Sequence, residues 1–430
     1  MSTLTPPPVA PRRVVVTGLG AISALGPSAP ETWECIVAGE TGIRRNEALD
    51  PAQHPSVLMG IVDKSTVPQR FISGKEARNT SFFSKMALEA AGEALIDAGL
   101  LDGDLQPTTD LSAAGAAFGS CVGGTYDDLL AVHATYLERG TSRVPPHLHV
   151  MFPHNLAAYT VQHRFGLGGP SSTVVTACAT GSQAIGDGFR AIKYGQAPMM
   201  IAGAAESTNH PLFQAGFAAM RALVTDSNDN PDGASRPFDA SRAGFVLGEG
   251  AAMLVLEDLE HARARGARIL AEICGFATSN DAYHAIAPEP EGTGAARAIR
   301  AALADAGISA DDVNHINAHA ASTPAGDVTE AHAIHHVFGG RAREIPVTSV
   351  KGAIGHCMAA AGALETLTAV KTLVEGRIPP TRNYRTPDPE IDLNSVCGQA
   401  RQADVTVMTK HSFGLGGQNA CLVLRKYDGA

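Results

Sequence analysis

Cys178 stands in the run VVTACATGSQAIG, where a β-branched apolar stretch gives way to small residues that open a helix. A cysteine on such a strand-to-helix turn is aimed out of a sheet, in the manner of a nucleophile elbow. The helix start can lower the thiol pKa, and its backbone amides can hold an oxyanion. Most cysteines are small apolar fillers of a core, and the turn alone does not separate the two uses. Two histidines add to the chemical reading. His319 lies in INAHAASTPAGD and His356 in SVKGAIGHCMAAAG, each just after a short apolar strand pattern. Open α/β sheets gather their sites at the C-terminal ends of strands. One cysteine and two histidines from three separate segments could therefore converge on one cleft.

Other chemistry-bearing residues are weaker candidates. His332, His335 and His336 have the i, i+3, i+4 spacing of one helix face. No acidic or cysteine ligand group accompanies them, so a solvated face is favoured over a metal site. No role is assigned to His147, His149 and His154 in their proline-punctuated loop. Cys35, Cys274 and Cys421 lie in apolar stretches and read as core. GLGAIS at 18–23 lacks the third glycine of a dinucleotide fingerprint and a useful acidic residue downstream, so NAD binding is rejected. HSFGLGGQN at 411–419 and GSCVGG at 119–124 could let backbone approach a substrate, but each by itself is more often a plain turn.

The elements that must position these residues alternate along the chain. Residues 13–17 read as a buried strand ending at Gly18 and Gly20. Residues 84–99 read as an amphipathic helix with Ser84 as N-cap and Gly99 as stop. Strands follow at 114–118, 172–177 and 198–204, with a helix at 181–194 between the last two. This is an α/β fold with mostly parallel, two-sided buried sheets. The second half repeats the theme: 268–276 is like the opening strand, 313–318 like the strand near 115, and 345–350 like the strand before Cys178. A small-residue helix from Met358 to Glu375 closes the series. The pattern suggests an internal duplication, with halves 1–259 and 260–430, and with larger insertions in the first half around 123–165 and 209–243.

Composition limits the function classes. The chain has 430 residues, 44% of them hydrophobic and 18% charged, so it is globular and able to bury large cores. Its formal net charge of −10 argues against a nucleic-acid binder. Seven cysteines with no short C-x-x-C spacing fit reduced thiols and not a disulfide framework or zinc site. The polar, proline-rich N-terminus lacks the apolar region of a signal peptide, and no apolar run of membrane-spanning length occurs, so a cytoplasmic location with no membrane partner is expected.

TACATGSQAIG, NAHAASTPAGD, SVKGAIGHCMAAAGALE and SFGLGGQN occur in this order, with RPFDASRAGFVLGEGAAMLVLEDLEHARARGA and FATSNDAYH between them. Together they resemble the β-ketoacyl-acyl-carrier-protein synthases, and within them the type II elongating enzymes, over essentially the whole chain. The resemblance implies a thiolase fold, two duplicated βαβ-rich halves in a five-layer αβαβα architecture. It implies a catalytic trio of Cys178, His319 and His356, with Lys351 and an acidic partner for it, Glu330. It implies decarboxylative condensation of a malonyl-carrier thioester with an acyl group held on Cys178. The oxyanion hole would come from the Cys178 and Leu415 amides. No metal or organic cofactor is implied, since phosphopantetheine arrives on the acyl carrier protein. The expected assembly is a homodimer, or a heterodimer with a chain-length-factor-like subunit.

Around the substrate, Thr323, Phe413, Leu415, Gly416 and Asn419 would contact the arm or the gate, and Cys121, Val122 and Phe217 the acyl chain. Departures from the family pattern fall in this zone: Ala320-Ala321 replace Gly-Thr, Leu415 replaces an aromatic gate residue, and Gln418 stands where threonine or histidine is common. They hint at a specialised substrate, such as a type II polyketide or polyene intermediate. A basic patch of Arg221, Lys75 and Arg78 is expected at the tunnel mouth, because carrier proteins are acidic. Two alternatives stay open: a non-catalytic chain-length-factor-like subunit, which the retained Cys178 opposes, and a coenzyme A thiolase, which the His-His pair opposes.

Overall fold

The computed structural model describes residues 11–429; the opening residues of the proline-rich N-terminus, as far as residue 10, lie outside it. Ten strands build its centre: β1 (Val14–Ile22), β2 (Gly115–Gly119), β3 (Ser171–Val174), β4 (Met199–Glu206), β5 (Gly250–Asp258), β6 (Ala271–Asn280), β7 (His315–Asn317), β8 (Pro346–Thr348), β9 (Val407–Gly414) and β10 (Gln418–Lys426). Their order is β3-β2-β4-β5-β1 in the first half and β6-β10-β9-β7-β8 in the second, with the two-residue strand Asn394–Ser395 at the far edge. Read outward from the β1–β6 junction, the two halves are the same list of equivalent strands. The duplication read from strand character is thus present in the topology.

The helices that pack on these strands are α1 (Phe82–Asp97), α2 (Leu156–Phe165), α3 (Thr180–Lys193), α4 (Thr293–Ala306), α5 (Pro324–Phe338) and α6 (Ala359–Glu375). Helices α3 and α6 touch each other and strands of both halves; α1 and α2 cover one outer face, and α4 and α5 the other. This gives the five layers. Buried hydrophobics gather in three main clusters between those layers. Among the described residues no helix is long and apolar enough to cross a membrane.

Three sequence expectations are corrected. The first strand does not stop at Gly18 and Gly20 but runs through both to Ile22. A Cβ at Gly18 would meet the Ala98 Cβ at 2.9 Å and one at Gly20 the Ala94 nitrogen at 2.7 Å, so these glycines admit the backbone of α1 against the strand. The helix expected from Ser84 begins at Phe82 after Ser81, and Ser84 is buried inside it. The sheet is also less parallel than expected. Strands β2, β3 and β4 pair in parallel, as do β7, β8 and β9, but β4–β5, β5–β1, β1–β6, β6–β10 and β10–β9 are antiparallel. The β9–β10 link is a three-residue turn, too short for a parallel crossover.

The crossing of α3 and α6 sets the site. A Cβ on Gly181 would lie 2.5 Å from Ala359 O, and one on Gly362 2.5 Å from Ser182 N. The two helix starts therefore touch backbone to backbone, and the turns that precede them, at Cys178 and His356, face one space. Gly362→Ala is expected to destabilise the chain by about 1–3 kcal/mol through overpacking. Urea unfolding monitored by circular dichroism measures this; an unchanged midpoint would show that the crossing can open freely.

Candidate active site

Cys178 sits one residue before the N-cap of α3 and is buried. Its predecessor Ala177 has φ 48°, a left-handed backbone that a side-chain-bearing residue rarely adopts. Arg221, Ser322 and Met358 share this feature at 55°, 70° and 50°. Arg221 and Met358 line the cavity that Cys178 opens on, and Ser322 lies between its lining residues Ala321 and Thr323. Strained backbone clusters where a fold fixes a functional group against its local preference.

The cavity encloses about 370 Å³. Cys178, His319 and His356 all line it, as do Phe217, Thr323, Phe413, Leu415 and Asn419. The imidazoles of His319 and His356 stand edge to face, with centroids 5.3 Å apart and planes at 79°. Phe245 packs against His356 at 5.3 Å and Phe413 against His319 at 6.0 Å. His356 is fixed through its backbone, its amide donating to Val246 O at 2.7 Å and its carbonyl accepting from Gly248 N at 2.9 Å.

Electrostatics separate the roles. Burial pushes the Cys178 thiol up to about 11, against the pull of Lys351 and of the Leu415 and Cys178 amides. The helix start therefore does not win against desolvation, contrary to the expectation of a lowered pKa. Those same two amides face the sulfur and are placed to hold an oxyanion formed there. Burial, with Lys351 next, lowers the pKa of both His319 and His356 well below the ordinary imidazole range, so both rings are neutral at pH 7. Lys351 Nζ approaches His319 Nδ1 at 3.4 Å. An ammonium has donors only, so Nδ1 must accept and the ring proton sits on Nε2.

The partner of Lys351 is a correction. Its ammonium pairs with Glu365, where Glu330 was expected. Glu330 instead accepts from the His319 amide at 2.9 Å and the Ala320 amide at 2.6 Å, so it fixes the backbone of the His319 turn. Glu365 is a buried charge within the small and apolar stretch that opens α6, and that charge was the signal that could have identified it.

Other expected positions divide. Cys121 and Val122 lie beside Cys178 in an apolar cluster that also holds Phe213, Phe217 and Tyr126. The Cys121 thiol donates to Ala177 O at 3.2 Å, directly behind the elbow. The buried carboxylate of Glu206, which sequence reading missed, accepts from the Cys121 and Val122 amides at 2.7 and 3.1 Å and so shapes this loop. Gly416 is turned away into a loop contact, its amide donating to Ala285 O at 2.9 Å. Asn419 donates to Asp281 Oδ1 at 2.7 Å. Of the expected basic patch, Arg221 lines this cavity. Arg78 lines a different one with Lys64, Lys85, Asp127 and Asp128, and Lys75 is on the short helix beside it, so the patch as drawn is wrongly placed. His332 and His335 turn to separate carbonyls, Pro290 O and Asp392 O.

A Cβ on Gly414 would meet Thr176 O at 2.9 Å and Cys178 N at 3.0 Å. Gly414→Ala should push the Leu415 amide off the sulfur and slow acylation of Cys178 about 10–100-fold with little change in melting temperature. Stopped-flow acylation checks this; a wild-type rate would show that the amide is not needed.

Residues 11–262 match the beta-ketoacyl synthase N-terminal domain and residues 270–385 its C-terminal domain. The 3-oxoacyl-[acyl-carrier-protein] synthase 2 of Synechocystis is 42% identical over 419 residues, spanning 97% of this chain and 99% of that one. Its counterpart in Staphylococcus aureus is 40% identical over 417 residues, with the same two shares. A beta-ketoacyl synthase structure from Burkholderia phymatum superposes with a TM-score of 0.88 at 35% identity, over 97% of this chain and 100% of that one. A type II polyketide ketosynthase, solved in complex with its acyl carrier protein and bound to the hexaketide, gives 0.86 at 33% identity over the same shares.

Proposed function

Because this chain belongs to the beta-ketoacyl synthase family, we propose that its own residues divide the condensation as follows. The activity is that of a 3-oxoacyl-[acyl-carrier-protein] synthase, an acyltransferase of fatty acid or polyketide synthesis. Cys178 Sγ attacks the acyl thioester carbonyl, and the negative oxygen rests on the Cys178 and Leu415 amides. The pantetheine thiol leaves with the cysteine proton, and an acyl-enzyme remains. A malonyl thioester then enters. Its carboxylate carbon–carbon bond breaks, CO₂ departs, and the electron pair moves onto the thioester oxygen. The Nε2 proton of His319 is aimed at that developing charge, and His356 is assigned the same role. A donor so placed contributes roughly 3–4 kcal/mol. The enolate carbon attacks the acyl-enzyme carbonyl, and Cys178 leaves as a thiolate and takes a proton from solvent. Every step uses side chains and backbone amides of this chain, the two thioesters and one solvent proton, with no metal or organic cofactor.

The observation that carries this reading is that Cys178, His319 and His356 line one cavity, with both oxyanion amides facing the thiol. The polyketide relative solved with its acyl carrier protein supports a carrier protein as bearer of both thioesters. Arg221 at the cavity is the first point of carrier contact on this reading. The edge strand β3 presents exposed residues, with Val175 beyond it half-exposed, and this edge would pair with a second subunit, a like chain or a chain-length-factor-like one. The cavity wall of Phe217, Met220, Phe245, Met358 and Leu415 suits an apolar acyl chain, and the Ala321 and Leu415 departures lie on it. A panel of saturated, enoyl and polyene carrier thioesters, followed through one elongation by mass spectrometry, identifies the substrate. Elongation of coenzyme A thioesters but of no carrier thioester would overturn the carrier assignment.

A further inference from the structure

Lys410 is a second fully buried lysine, and the condensation steps above make no use of it. It lies on β9, two residues before Ser412. Its ammonium is 2.7 Å from Glu365 Oε2 and donates to His411 O at 2.7 Å and to Ser412 Oγ. Ser412 Oγ lies 2.9 Å from Ser182 Oγ, on the helix that follows Cys178. The other oxygen of Glu365 holds Lys351, which in turn reaches His319. One buried carboxylate therefore bridges two ammoniums, one beside the catalytic imidazole and one tied to the cysteine helix.

The charges around the imidazoles explain why two are needed. Glu365 and Glu330 are both buried here, and Glu330 lies on the His319 and Ala320 amides. It also meets His411 Nδ1 at 3.1 Å, while His411 Nε2 contacts Thr409 Oγ1 at 3.0 Å. Other titratable groups around the site are Cys178, Cys357, the two imidazoles themselves, Arg221 and Asp281 on the cavity wall, and Asp327, which is paired with Arg242 at 3.9 Å. Lys351 can offset one carboxylate only. A net negative charge in a dry site would draw a proton onto the nearest imidazole. An imidazolium would then ion-pair with the malonyl carboxylate and stabilise the group that has to be lost, which favours the ground state over the transition state. After burial and Lys351, the field of Lys410 also acts on both rings and lowers their pKa values.

We propose that Lys410 is a positioning residue of the condensing site: as the second counter-charge to Glu330 and Glu365 it keeps His319 and His356 as uncharged Nε–H donors, and through Ser412 and Ser182 it ties them to the helix behind Cys178. This rests on the assignment of the two histidines as enolate donors. The test is Lys410→Met, which keeps the length and removes the charge. With the counter-charge gone, protonation of the rings is less opposed, so their midpoints rise. Ring-labelled histidine NMR should show the His319 and His356 midpoints up by about one unit. The acid limb of malonyl-carrier decarboxylation should move up by about the same one unit, with KM unchanged and Cys178 still acylated. Lys410→Arg, which keeps the charge, should retain the wild-type midpoints.

Unmoved midpoints in Lys410→Met overturn the proposal, including when the only effect is a lower melting temperature. If that variant does not fold, Lys410→Gln replaces it. Midpoints at or above the ordinary value of about 6.5 in the unaltered chain also overturn it. An unaltered chain that takes no acyl group on Cys178 would instead defeat the functional assignment itself, so the two failures are told apart.

Discussion

Cys178→Ala is expected to abolish acyl transfer, lowering condensation about 10⁴-fold or more, because no second nucleophile shares its position. Of the other cysteines, Cys121 points its thiol at Ala177 O behind the elbow, and Cys357 is wholly buried beside His356. Burial pushes both thiols further from ionisation. Incubating the protein with an acyl-carrier thioester and weighing it intact reads the result directly. Wild type gains one acyl mass and Cys178→Ala gains none; an adduct of equal yield in the variant would place the nucleophile elsewhere. The pH dependence follows from the thiol near 11. Below that value the thiolate fraction rises tenfold per pH unit, so acylation should still be climbing between pH 7 and pH 9. A plateau already at pH 7 would mean that substrate binding, and not the free thiol, sets the ionisation.

His319→Ala and His356→Ala are expected to strike the second half-reaction. Each should lower malonyl decarboxylation about 10²–10³-fold, while leaving acylation of Cys178 within a few-fold of wild type. The reason is geometric. The rings stand 5.3 Å apart and nearly perpendicular on the cavity wall, and neither is needed to present the Sγ to an acyl carbonyl. His319 is the stronger case, because Lys351 fixes its proton on Nε2. The double variant should lose less than the product of the two single losses, since one oxygen uses both donors. Release of labelled CO₂ measures this. Unchanged release from both single variants would remove the histidines from the enolate step.

Much of this site was legible along the chain. The strand-to-helix turn at Cys178 and the strand ends before His319 and His356 are set by local patterns, and those patterns hold in the structure. The strand correspondence between halves was also readable, because equivalent strands carry similar residue types. Glu365 and Lys410 were not. A glutamate in the apolar stretch of a helix and a lysine in a buried strand each look like local anomalies until the fold sets them 2.7 Å apart. The swap of Glu330 for Glu365 has the same origin: the two carboxylates are separated by 35 positions, and only packing decides which one meets Lys351. The misplaced Lys75 and Arg78 show the limit for surfaces, where charge is local but its neighbours are distant in sequence.

By itself the sequence carried the duplicated α/β plan in its short, regular segments, and its motifs, through their resemblance to a known family, implied the reaction type and the roles of Cys178, His319 and His356. The tertiary structure decided what those residues are chemically. It made the thiol harder to ionise than the helix start suggested, fixed the His319 proton on Nε2, and assembled two lysines and two glutamates into one buried charge balance. Protonation depends on desolvation and on charges within a few ångströms, and both are properties of three-dimensional packing that no linear spacing carries.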